Sequence, residues 1–111
     1  MGDPAPPGRR GVDELSPYDR ATVGLWRRSY RRLERQPADR SLAEAAMHAV
    51  LAGLRRWTDP PALFAAYEAG TAADFTLIDS LLPPAFPEEL RWTVREAAFY
   101  LRWRELTSHG E

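Results

Sequence analysis

Apolar residues recur with a helical period along nearly the whole chain. Between Ser16 and about Gln36, Val23, Trp26, Tyr30 and Leu33 fall on one face of a helix. Ser16 is placed as its N-cap, Pro17 suits its first position and Asp19 complements the positive end of its dipole. Pro37 stops it. The next stretch, Ser41 to Trp57, combines high helix propensity with an apolar surface over most of its circumference. Ser41 and Glu44 have the spacing of a capping box. Ala45, Ala49 and Gly53 make a thin stripe that another helix could approach closely, while Met47, Val50, Leu51, Leu54 and Trp57 cover a broad arc. The pattern predicts that this second helix is central and that it forms an antiparallel hairpin with the first across a short linker.

Asp59 followed by Pro60 is a strong signal for a third, short helix carrying Leu63, Phe64 and Tyr67 and ending at Gly70. Thr71 and Asp74 then suggest a new cap, and a fourth helix holds Phe75, Leu77, Ile78, Leu81 and Leu82 before Pro83 and Pro84. The last helix spans about Glu88 to Thr107. It has two apolar faces: Leu90, Val94, Ala97 and Leu101 on one, Trp92, Phe99, Trp103 and Leu106 on the other. No segment alternates with the period of a strand. The expected fold is all-α, a small compact bundle of four to five helices in one domain over 15–108, after a disordered, Pro- and Gly-rich N-terminal tail over 1–14.

With 111 residues, 44% apolar and 28% charged, the chain suits one soluble domain with a modest core. It contains no cysteine, which excludes a disulfide framework and thiolate metal sites. No apolar run is long enough to span a bilayer and the N-terminus lacks a secretory h-region, so the expected setting is cytoplasmic, with no membrane contact. All fifteen basic residues are Arg, in keeping with a high-GC, bacterial genome. Net charge is −1 but uneven: +3 over residues 1–40, +1 over 41–58 and −5 over 59–111. Such a bipolar charge favours an oriented partner.

Two features point to partners. Two apolar faces on a terminal helix mean that it is sandwiched between others or that one face meets another chain, and large aromatics recur at interface hot spots. Trp92, Phe99, Trp103 and Leu106 are therefore the expected contacts for a protein partner or homo-oligomer. Arg20, Arg27, Arg28, Arg31, Arg32 and Arg35 share an arc of the first helix and suit an acidic partner surface or phosphates, with Trp26 and Tyr30 at the margin for stacking. The function expected is a non-enzymatic interaction or assembly subunit; the alternative is a nucleic-acid-binding accessory protein using the Arg arc. A ligand pocket lined by Leu63, Tyr67 and Trp92 carries less weight.

No nucleophile elbow, Walker loop or dinucleotide fingerprint occurs. Glu44 and His48, one turn apart, lack further metal ligands nearby in sequence and read as an i, i+4 pair. No catalytic residue, metal or cofactor is expected.

Overall fold

The computed structural model describes residues 15–35, 40–70, 72–82, 84 and 86–107. The expected tail at 1–14 lies outside these residues. Five helices run in order: α1 Pro17–Glu34, α2 Arg40–Leu54, α3 Pro60–Ala69, α4 Ala72–Leu81 and α5 Glu88–Thr107. The fold is all-α, with no strand among the described residues. No described helix is long and apolar enough to cross a membrane.

Local chemistry explains most boundaries. The Ser16 side chain accepts the Asp19 amide at 3.1 Å, and Pro17 opens α1. Asp59 accepts the Ala62 amide at 2.9 Å and so caps α3. Gly70 ends α3 through a 2.9 Å bond from its amide to the Ala66 carbonyl. Its backbone is extended, with φ −121°, so its place there does not depend on a left-handed conformation. α3 and α4 are two separate helices. The Ser41 capping box does not form as expected. α2 already includes Arg40, so Ser41 is inside the helix and Glu44 pairs with Arg40 at 2.9 Å. Of the proposed Thr71–Asp74 box, Thr71 lies outside the described residues and the Asp74 carboxylate is held by Arg95.

The hub is α5, not α2. α5 packs against all four other helices, whereas α1 and α2 touch each other only slightly. The expected α1–α2 hairpin is thus opened, each helix lying chiefly along α5. The physical reason is in the two apolar faces of α5. Phe99 and Trp103 are buried on one, Leu90, Val94 and Ala97 on the other, and satisfying both requires neighbours on either side. α2 instead buries a single face of Ala43, Ala46, Met47, Val50, Leu51 and Leu54. Its small stripe is unused: Ala45 and Gly53 are exposed, and a Cβ added at Gly53 would meet nothing within 4 Å.

An aromatic group pins α1 and α3 to α5. The fully buried Trp26 stacks on Phe64, with ring centroids 5.2 Å apart, and meets Tyr67 at 5.2 Å and Phe99 at 5.3 Å. Rings in such contact add stability beyond the area that they bury.

Candidate interaction surface

The α1 helix presents two opposite faces. Thr22, Val23, Trp26, Ser29 and Leu33 are buried. Arg20, Arg27, Arg28, Arg31, Arg32 and Arg35 are all exposed on the other side. Arg20 reaches the Leu15 carbonyl. Arg32 lies 3.7 Å from Glu89 at the start of α5, with both side chains largely in solvent, so that pair contributes little to stability. Arg27, Arg28, Arg31 and Arg35 have no ion pair among the described residues. The arc is therefore a positive surface on a helix whose other face is locked into the core.

The aromatic stripe of α5 is divided. Phe99 is fully buried against Trp26 and Tyr67, and Trp103 is nearly so, packed beside Tyr100. Neither is open to a partner: the face that two stripes implied is covered within the monomer, with the Trp26 ring of α1 against Phe99. Leu106 is half-buried at the edge of the core. Trp92 alone of the four is exposed, at 39%, with its ring edge-to-face on Phe75 at 4.8 Å. It follows Glu89 by three positions, so the two are neighbours on the α5 surface and Trp92 sits near the Arg32 end of the arc.

The stacking partners proposed for nucleic acid are not free. Trp26 is in the core, and the half-buried Tyr30 packs on Tyr100 with centroids 5.5 Å apart. Burial, with Glu34 nearby, holds the Tyr30 phenol above its ordinary pKa against the opposing pull of Arg104. Glu44 is taken by Arg40, and His48 is exposed on α2. The pocket expected among Leu63, Tyr67 and Trp92 is not assembled: Leu63 is sealed in the core, Tyr67 is wedged between Trp26 and Phe99, and Trp92 is at the surface.

The sequence reading missed a buried polar cluster on α5. Arg95 is 1% exposed and donates to Asp74 at 3.0 Å and to the carbonyls of Tyr67 and Gly70 at 3.1 and 2.8 Å. Its guanidinium also lies over the rings of Tyr67 and Phe99, 4.7 and 4.9 Å from their centroids. The neighbouring Glu96 accepts from the Ser29 hydroxyl at 2.6 Å and from the Tyr67 hydroxyl at 3.0 Å. Burial pushes the Tyr67 phenol up to about 12, and the Glu96 carboxylate adds to that effect while Arg95 opposes it. Every charged group here has partners from the protein itself. The cluster ties α1, α3 and α4 to α5 and offers no open position for a substrate.

A second tie closes the other end. Arg102 donates to the Trp57 carbonyl at 2.8 and 3.1 Å and to the Arg55 carbonyl at 3.3 Å, fixing the link between α2 and α3. Glu105 joins both Arg55, at 2.6 Å, and Arg102, at 3.0 Å. The bond from Arg55 holds the Glu105 carboxyl below its ordinary pKa. Arg91 completes the series with bonds to Asp79 and to the Phe86 carbonyl.

Three comparisons with known proteins set no family beside this architecture: no family model matches the chain, and no curated protein or solved structure does so.

Proposed function

We propose that the chain is a non-enzymatic interaction domain, an accessory or assembly subunit, which docks an anionic protein surface on the outer arc of α1. One observation carries this reading. Arg27, Arg28, Arg31 and Arg35 are exposed together and have no ion pair among the described residues, while Arg91, Arg95 and Arg102 of α5 are engaged with carboxylates and carbonyls. A planar guanidinium matches a carboxylate bidentately, and a patch of four over three successive turns fits an acidic helix or strand edge. Trp92, near the Arg32 end, supplies an apolar anchor beside the charges. Nucleic acid is the second reading, because the same arc suits phosphates. It ranks lower because, of the rings that would stack on bases, Trp26 is buried in the core and the half-buried Tyr30 is packed on Tyr100.

The test is a titration of labelled polyglutamate, and separately of a single-stranded oligonucleotide, at low and physiological salt. Polyglutamate is expected to bind, to weaken as salt rises, and to be lost in Arg28→Glu/Arg31→Glu. Binding indifferent to that reversal, or no binding even at low salt, would overturn the reading. A tighter and more salt-dependent hold on the oligonucleotide would give the arc to nucleic acid instead.

A further inference from the structure

We propose that the groove bounded by the end of α2, by α3 and by α5 is a binding site for an amphipathic carboxylate, an acid with a flexible apolar tail such as a medium-chain fatty acid. The groove encloses about 450 Å³, inside the roughly 300–1,000 Å³ of pockets that hold small ligands. Its walls are almost entirely carbon. Trp57 supplies the large accessible surface, the buried Leu54 and Phe99 form the floor behind it, and four alanines of α3, at 62, 65, 66 and 69, leave the space that larger side chains would fill.

The charges that line it are not equivalent. The Asp74 carboxylate is neutralised by Arg95, which is itself buried. Arg56 stands at the rim with its guanidinium over the Trp57 ring, 5.0 Å from the centroid, and has no ion pair among the described residues. The groove therefore presents one uncommitted positive group beside an apolar trough. Stacking on Trp57 orients the planar fork and leaves its N–H edges open for a carboxylate. A cationic or zwitterionic ligand finds no free counter-charge in this lining. The rim is preorganised, because Arg102 holds the Trp57 carbonyl at 2.8 Å and the Trp57 amide bonds the Leu54 carbonyl at 2.9 Å. Little ordering is left for the ligand to impose.

Sodium dodecanoate, below its micellar concentration, is the probe, and dodecyltrimethylammonium of the same chain length is the control. Calorimetry on the full chain measures affinity, and amide and indole NMR shifts locate the ligand. The acid is expected to bind with shifts centred on Trp57, Ala62, Ala66 and Gly70, and the ammonium compound to bind at least tenfold more weakly. Arg56→Gln should weaken the acid by roughly two- to fivefold, the size of an exposed charge contact. Ala65→Phe, at an exposed position on the groove wall, should block it while leaving the fold intact. Absence of dodecanoate binding overturns the site. So does equal affinity for acid and ammonium with no response to Arg56→Gln, which is the behaviour of a surfactant on any apolar surface.

Discussion

The arginines of α1 and of α5 are the same residue put to opposite uses. On α1, six exposed arginines share one arc, and the pair of Arg32 with Glu89 is a loose surface contact of 3.7 Å. On α5, Arg91, Arg95 and Arg102 each turn inward and end on backbone carbonyls as well as a carboxylate. The difference is one of what surrounds each helix. α1 is packed on one side only, so half its circumference carries no structural demand. α5 is enclosed through its middle, over 93–99, so a charge buried there must be satisfied by its neighbours or be lost to the fold. Arg serves that purpose because its fork reaches several acceptors at once. A charge count of the sequence treats the two sets alike; only the packing separates the ties from the free surface.

The sharpest way to break that contrast is at Arg95. Arg95→Leu leaves Asp74 and the carbonyls of Tyr67 and Gly70 without their donor, so a loss of about 3 kcal/mol is expected in urea denaturation. Arg95→Lys should recover only part, since one ammonium cannot span three acceptors. A loss under about 1 kcal/mol for the Leu variant would mean that water replaces the guanidinium and that the cluster is no tie. Arg102→Ala comes next, at about 1–2 kcal/mol, because the Trp57 and Arg55 carbonyls lie nearer the surface and can be partly rehydrated. Faster hydrogen exchange should appear in the α2–α3 link before it does in α1.

Tyr67→Phe sharpens the picture of the same cluster at lower cost. It removes one of two donors to Glu96 and keeps the ring between Trp26 and Phe99, so about 1 kcal/mol is expected at neutral pH. The pH dependence has a defined sign. The folded phenol titrates at about 12 against an ordinary value of 10.0, so the folded state holds the proton longer. That contribution is fully present below pH 10 and is lost as pH rises from there through about 12. Tyr67→Phe should make the alkaline fall in stability shallower; an unchanged limb would exclude Tyr67 as its source.

What the sequence made legible was local. The caps at Ser16 and Asp59, the proline positions and the 3.6-residue period locate the helices, because each signal acts within a turn or two of itself. The hub was not legible in the same way. α2 has the more continuous apolar surface, yet α5, with charges set between two stripes, takes the centre because those charges find partners 12 to 67 residues earlier in the chain. The local pattern around Arg95 and Glu96 does not show those partners. A faint signal was present: charges lying between two opposed apolar faces have little solvent left to face. The arc of α1 was legible because a one-sided helix shows its outer face directly in its periodicity. Whether Phe99 and Trp103 faced a partner or the core depended on Trp26 and its neighbours, which no local pattern reveals.

The smallest effect on stability is expected where the effect on binding is largest. Arg28→Ala/Arg31→Ala removes two guanidiniums that have no ion pair among the described residues. Ala has the higher helix propensity, so stability should stay within about 0.5 kcal/mol of the starting protein. Relieving the mutual repulsion of neighbouring cations pushes the change toward stabilisation, and more so at low salt, where repulsion along the arc is least screened. Binding to the acidic probe should fall in the same variant. Stability and binding would then move independently on α1, whereas on α5 any substitution that reaches Arg95 must move the fold first. A double variant that unfolds in step with its loss of binding would place the α1 arginines among the structural ties and dissolve the distinction between the two helices.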